Sequence, residues 1–459
     1  MNLNEKILSR LKQSELWTNK TRESGSTIQG LTCPACGSIG AGWCYTSGPM
    51  SINCNRLNQC GARTKTLELF NIRQNIEKDF APIKGDPKRP ARMFLESRGL
   101  KTSLKGLKYY YQQNVRKTGS GAVMFPVAKN KKTGKTVANG RLLNPPQGEG
   151  KTHNSGSTSG HYWQHPGLEY DPYKTTYIVE GIIDALSLIE LGHQAIAVLA
   201  SGQDPAKLDL SFFKKLTLAF DADPAGSKAT KKWKKHFPEA AAIMPDPGGD
   251  WNDLLCSGPL EQVRERFQQN LDRYHVNAEL ALAESAREYA EIFADFHSRP
   301  PGLFEHDGCT FFAWIKKRGD DNNLVVERCG RFTLKVISYL KDTSNEDQQY
   351  FYQLQITPKG GRPVKVIASG RNFATLPGMK EFFLTRAKVS YEGAASSAVA
   401  LATRITSAKQ APEVLRMTHT GLDVKSGWYV FKDFGVDTTG KVHRPDKRGL
   451  YKLNFREWA

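Results

Sequence analysis

The sequence has no apolar run that approaches the ~20 residues needed to span a bilayer. Its first residues, MNLNEKILSRLKQSEL, lack the apolar core of a secretory signal. Both absences predict a cytoplasmic protein with no membrane partner. In that compartment the eight cysteines are not expected to build a disulfide framework. A nucleotide-hydrolase loop is missing as well. Gly148-Glu149-Gly150-Lys151-Thr152 looks like the end of a Walker A loop, but Pro145 stands where its first glycine is required, and no apolar strand leads in. Negative charge is scarce too, with 46 acidic residues against 65 basic ones and a formal net charge of +19. So basic a chain of 459 residues, long enough for about three domains, is expected to have a polyanion as partner.

The positive excess is unevenly placed. Between Lys101 and Lys151 there are eleven basic residues, including Arg116, Lys117, Lys129, Lys131, Lys132, Lys135 and Arg141, and Glu149 is the one acid. Tyr109, Tyr110, Tyr111 and Phe125 lie among them. Basic groups attract phosphates and aromatic faces stack unpaired bases. The alternative is an amphipathic strand with a solvated lysine side.

Five cysteines fall between Cys33 and Cys60. Cys33-Pro-Ala-Cys36-Gly is a tight thiolate turn, and Cys54-Asn-Arg-Leu-Asn-Gln-Cys60-Gly is a wider second one. Four thiolates complete a tetrahedral zinc site with no open position, so Cys33, Cys36, Cys54 and Cys60 predict one structural Zn2+. The 17 residues between Cys36 and Cys54 leave room for two strands of a zinc ribbon. Cys44 is a competing ligand, although Gly42-Trp43-Cys44 reads as mid-strand. Cys256, Cys309 and Cys329 are isolated and read as packing residues.

From Thr176 strands and helices alternate, which predicts βαβ units and a parallel sheet. Glu180 ends a first apolar strand and Asp221-Ala222-Asp223 follows a third, Leu216–Phe220. Asp250 and Asp253 come after a fourth, Ala241–Met244. Ligands collect at such strand ends. Converging carboxylates repel one another unless cations neutralise them, and oxygen-only ligands favour Mg2+ or Mn2+. Structural roles compete with this. Asp223 before Pro224 reads as a helix cap, Asp253 as another cap, and Asp184 as helix-surface decoration.

Glu180-Gly-Ile-Ile-Asp184-Ala and Phe220-Asp221-Ala-Asp223-Pro-Ala-Gly226 resemble the two motifs of the TOPRIM fold, shared by bacterial-type primases, topoisomerases and some nucleases. The order of zinc ribbon, basic segment and TOPRIM resembles a bacterial-type primase of the kind carried by phages and mobile elements. Arg92-Met-Phe-Leu-Glu-Ser-Arg98-Gly-Leu, Val123-Met-Phe-Pro-Val and Gly140-Arg141-Leu-Leu-Asn resemble the upstream part of that core. The resemblance covers about residues 30–256. It implies synthesis of primers on single-stranded DNA from nucleoside triphosphates, with two divalent ions. Glu180 would be the central acid, and Asp221 and Asp223 the principal metal ligands. Asp184, Asp250 and Asp253 would complete the acidic set, although the spacing of the last pair departs from the usual one. Arg141 and Lys151 would steady template or triphosphate. Lys228 and Lys232, with Lys231 and Lys235, would follow a strand path along their helix or form its solvated face. Arg56, Trp43, Arg63 and Lys65 are placed to touch template from the ribbon, or Trp43 to cap its small core. A nuclease or topoisomerase of the same fold, or a non-catalytic replication initiator, is the alternative.

The remaining third predicts an amphipathic helix over Ala278–Phe296, a boundary at Ser298–Gly302 and a mixed α/β region. Strands are expected at Phe332–Val336, Tyr350–Ile356, Val364–Ile367 and near Trp428–Phe431, and helices at Met379–Arg386 and Ser396–Ile405. This third resembles the region before the motor in phage and mobile-element primase-helicases, which implies a replicative helicase as partner, either on a separate chain or in a longer version of this one. The whole reads as a multidomain α+β and α/β protein. Residues 1–75 form a zinc ribbon, 76–165 a basic subdomain, 166–270 the TOPRIM subdomain, 271–302 a helical linker and 303–459 an α/β accessory domain.

Overall fold

A computed structural model describes residues 3–115, 119–130, 133–145, 150–318, 321–342 and 350–407, together with strands at 413–416, 421–423, 428–430, 435–436 and 442–443. Arg116, Lys117, Lys131 and Lys132 of the basic stretch lie outside the described residues, as do Gly148, Glu149 and Phe431. The chain divides into two units, Met1–Leu282 and Ala283–Ala459.

Among the described residues the first unit carries three sheets. An antiparallel meander of five strands, Arg22–Ser24, Thr27–Leu31, Gly42–Tyr45, Ser51–Cys54 and Arg63–Lys65, holds both thiolate turns. A second antiparallel sheet, Tyr110–Gln112, Ala122–Lys129, Thr136–Leu142 and Thr152–Ser155, carries the basic segment. The third has the spatial order Trp163–Gln164, Gln194–Ala197, Thr176–Val179, Leu216–Leu218, Ala241–Ala242. Only its first strand runs antiparallel. Its two central strands, Thr176–Val179 and Gln194–Ala197, are buried throughout. Such apolar runs follow from helix cover on both faces of a parallel sheet. Helices Ile182–Glu190 and Pro224–His236 make the crossovers. One continuous core joins Leu3 and Ile7, the helix Arg89–Glu96, Val179 of the parallel sheet and, from helices packed on that sheet, Leu186 and Trp251.

A single helix over Ala278–Phe296 does not form. Helix Leu271–Leu282 ends, and a new helix, Ala286–His297, begins at Ser285. The Ser285 hydroxyl accepts the Glu288 N–H at 3.1 Å, and the Glu288 carboxylate accepts the Glu284 N–H at 2.7 Å. This reciprocal cap starts a helix inside an unbroken apolar period. The division between units falls at this break.

The second unit has an antiparallel sheet of Gly302–His306, Cys309–Arg318 and Asp321–Gly330. A second sheet has the order Val364–Ser369, Tyr350–Pro358, Phe332–Asp342, Glu413–Arg416. Its outermost strand, Glu413–Arg416, is parallel to its neighbour. Helices Leu376–Phe382 and Ala395–Thr406 contribute Met379, Leu401 and Ile405 to a core with Phe332, Leu354 and Ile356. The unit is therefore mixed α/β.

Candidate active site

The two thiolate turns meet. The four sulfurs of Cys33, Cys36, Cys54 and Cys60 lie within 4.8 Å of one another. Cys33 to Cys60 is 3.9 Å and Cys36 to Cys54 is 4.0 Å. Tetrahedral zinc with ~2.3 Å bonds sets sulfurs about 3.8 Å apart, so this cluster fits the ion. Burial pushes the Cys33 thiol up to about 12, while bonds with Ser38, first through its side chain, bring Cys36 down to about 6. Cys44 is excluded from the cluster. It points into a separate core with Leu11, Ile28 and Ile52, where burial pushes its thiol up to about 12. Arg56, within the second turn, is exposed and donates to Ser38 Oγ.

The acids gather at the carboxyl edge of the parallel sheet. The strand Thr176–Val179 delivers Glu180, and Gly181 caps the helix that carries Asp184 in its first turn. The strand Leu216–Leu218 leads to Asp221. Asp223 then caps the helix Pro224–His236, its carboxylate accepting the Gly226 N–H at 2.7 Å. Gly226 is required here, because a Cβ at that position would sit 2.0 Å from the Asp221 carbonyl oxygen. Asp250 caps the short helix Trp251–Leu255 and accepts the Asp253 N–H at 2.6 Å. Trp251 pins that helix to the sheet, its indole N–H donating to the Ala219 carbonyl at 2.7 Å.

Charge is concentrated among these groups. Burial raises the Asp221 carboxyl to about 7, helped by Asp250, Glu180 and Asp223 and opposed by Arg141. Burial, then Asp221 and Asp250, hold Asp184 well above the ordinary carboxylate range. Burial also raises Glu180, against a backbone hydrogen bond from Ser201, with Asp223 adding to the rise. Asp184 Oδ1 and Asp221 Oδ1 are buried with no hydrogen-bond partner. Buried carboxylate oxygens left unpaired are costly. Two of them facing one cluster of acids are what a bound hard cation would satisfy. The carboxylate set has the donor chemistry for divalent ions, although among the described residues only the four cysteines stand at ligand separations from one another.

Not every expected residue joins this cluster. Asp253 is half exposed and paired with Lys65 Nζ at 2.7 Å, on the last strand of the cysteine-bearing sheet. Lys232 gives its ammonium to the carbonyls of Gly202 and Gln203, at 3.2 and 2.9 Å. Lys228 and Lys151 are exposed. Arg141 faces the acids: burial and then Arg98 lower its pKa, while Asp184, Asp250 and Asp221 pull it back up. Arg98 was not singled out as a site residue. It acts on both Arg141 and Asp184, and its Nη1 reaches Asn252 Oδ1 at 3.3 Å. Its place before Gly99 (φ +75°) was visible in the sequence, but its direction was not.

Residues 177–255 match the family described as Toprim-like, so this segment is a TOPRIM domain, behind a ribbon whose four-cysteine cluster fits zinc. Two solved structures are similar in part. The RNA polymerase domain of Mycobacterium tuberculosis primase DnaG is 18% identical, covering 48% of this chain and 89% of its own, with a TM-score of 0.31. The primase fragment of the bacteriophage T7 primase-helicase protein is 15% identical, covering 52% and 97%, with a TM-score of 0.30. No curated protein matches the chain. Among the described residues no helix is long and apolar enough to cross a membrane.

Proposed function

We propose that the chain is a DNA primase that joins nucleoside triphosphates into short primers on single-stranded DNA. The observation that carries this reading is the pair of orphaned carboxylate oxygens, on Asp184 and Asp221, inside the strand-end acidic cluster of a TOPRIM domain. Glu180, Asp184, Asp221, Asp223 and Asp250 would hold Mg2+ or Mn2+. When bound, two such ions supply activation of a primer hydroxyl and neutralisation of the departing pyrophosphate.

The chain's own groups do the positioning. Asp223 and Asp250, fixed as helix caps, keep their carboxylates on the sheet edge. Arg141 and Arg98 add fixed positive charge beside the acids and are placed to receive triphosphate oxygens. Lys151, Lys228 and Arg56 remain exposed for template phosphates, whereas Lys232 braces the loop around Gly202. Zinc would fix the ribbon's two turns. A replicative helicase, in the setting of a phage or mobile element, is the partner we assign. This reading places the work in the cytoplasm.

The test is primer synthesis on single-stranded DNA with labelled triphosphates and Mg2+ or Mn2+, beside Glu180→Ala. Short labelled products from the wild type, absent with the variant, are expected. Template cleavage without synthesis would turn the assignment to a nuclease of this fold.

A further inference from the structure

The strand that closes the zinc-bearing sheet also touches the acidic helix. Arg63 and Lys65, two residues apart on that strand, leave the same face. Lys65 pairs with Asp253 on the helix Trp251–Leu255. Arg63 is held by Ser51 Oγ at 3.0 Å and donates its two terminal nitrogens to the carbonyls of Ser257 and Cys256. Cys256 is the C-cap of the same helix, so Arg63 takes up carbonyls that the helix leaves open at its end. The helix has five residues, a rise of only about 7 Å. Its other end is Asp250, whose charge acts on both Asp184 and Asp221. Asn252, within it, donates to the Arg98 carbonyl at 2.7 Å and to Ser187 Oγ at 3.0 Å. A short helix fastened at its C-terminal end by the ribbon and facing the acids at its N-terminal end transmits the position of one to the other.

We infer that Arg63 and Lys65 are positioning residues that couple the seating of the zinc ribbon to cation binding at the carboxylate cluster. With the ribbon seated, Asp250 is held toward Asp184 and Asp221 and a divalent cation binds more tightly. By linkage, an occupied cluster favours the seated ribbon to the same degree. Asp253 belongs to the seat, as the partner of Lys65. The inference rests on reading the cluster as a cation site. Its direction is diagnostic. Removing the positive charge of Arg63 or Lys65 would by itself strengthen cation binding, whereas loss of the seat weakens it.

The experiment is a Mn2+ titration of the full zinc-loaded chain, following free Mn2+ by electron paramagnetic resonance without nucleotide or DNA. The variants are Arg63→Ala, Lys65→Asp, Asp253→Lys and the swap Lys65→Asp/Asp253→Lys. Zinc content and hydrogen exchange at residues 63–65 and 253–257 are measured on each. Full zinc content shows that the ribbon is folded. Arg63→Ala and Lys65→Asp are expected to raise exchange at both segments and weaken Mn2+ about five-fold, the low end of measured couplings. The swap, which restores the pair at unchanged net charge, should recover most of that loss. Unchanged or tighter Mn2+ binding in Arg63→Ala and Lys65→Asp would overturn the coupling. Loss of binding in Asp253→Lys that the swap does not rescue would overturn it in favour of Asp253 as a ligand. A wild type with no Mn2+ site sensitive to Asp221→Asn would overturn the cation-site reading itself, and the coupling with it. That outcome is distinct, because no variant would then have an affinity to lose.

Discussion

The two clusters of anionic ligands in the first unit solve opposite problems. The four cysteines come from two turns of one small sheet, and their sulfurs already stand at the separation a tetrahedral ion needs. The carboxylates come from three separate strand ends, and two of them keep an unpaired buried oxygen. A closed set of soft ligands leaves no position for a reactant, so an ion held there would support the fold. An open set of hard ligands, in which Glu180, Asp184 and Asp221 are raised in pKa by burial and by neighbouring acids, suits the uptake and release of cations that the proposed function requires. On the proposed reading, rigidity resides in the thiolates and reactivity in the carboxylates that are left unpaired.

Removing zinc should break the comparison most severely. Metal binding in small zinc modules is worth on the order of 10 kcal/mol of folding free energy. Cys54→Ser is expected to lose bound zinc and to bring exchange protection of Thr27–Cys54 close to zero. Protection of Thr176–Val179, in the other sheet, should persist, as hydrogen exchange read by mass spectrometry would show.

The carboxylates should behave in the reverse sense, because ionising Asp221 works against the fold. Its folded-state value of about 7 lies above its ordinary one near 4. The folded state therefore holds a proton that the unfolded state releases across this window, and its stability falls as pH rises from about 4 to about 7. Asp221→Asn removes that penalty. The variant is expected to lose Mn2+ binding and primer synthesis, yet to melt a few degrees above the cation-free wild type at pH 8. Added Mn2+ should raise the melting temperature of the wild type alone. A cation-free wild type that gains stability steadily from pH 4 to pH 8 through this site would contradict the account.

The finest discrimination concerns Asp223, which is both a cap and a candidate ligand. Asp223→Asn keeps a capping side chain, and Asp223→Ala loses it at a cost of about 1 kcal/mol. Both should lack synthesis, while only the alanine variant should show the small drop in stability on urea unfolding. Synthesis retained by Asp223→Asn would leave capping as its whole role.

How far the sequence spoke differs between these sites for a physical reason. Cysteine pairs at turn spacing are a local signal, and the structure brings together the four that the spacing picked out. The wider second turn and Cys44 left room for another set until burial placed Cys44 in a different core. Strand-end acids were legible because an apolar strand that runs into Glu180 or Asp221 is unusual. The partner of Asp253 was not, since Lys65 lies 188 residues away and only the fold makes them neighbours. Arg98 escaped for the same reason. In the second unit, the expected pairing of Tyr350–Ile356 with Val364–Ile367 forms within the longer strands Tyr350–Pro358 and Val364–Ser369. The three strands from Gly302 to Gly330 carry mixed charge and no clean period, so alternation does not mark them.

One buried acid outside the cluster bears on mechanics. Glu190, 1% exposed at the end of the helix that begins beside Glu180, accepts the backbone N–H groups of Lys101, Thr102 and Ser103 at 2.7–3.0 Å. Burial pushes its carboxyl up and these bonds pull it down, leaving it below the ordinary value. The charge rivets the segment just after Arg98 to the far end of the helix Ile182–Glu190, which begins beside the sheet-edge acids. The ribbon is held differently: beside the apolar packing of Met50 and Leu67 on the main core, its polar seat on the helix Trp251–Leu255 is one half-exposed ion pair and the grip of Arg63, both open to solvent and to ionic screening in a way that the Glu190 rivet is not.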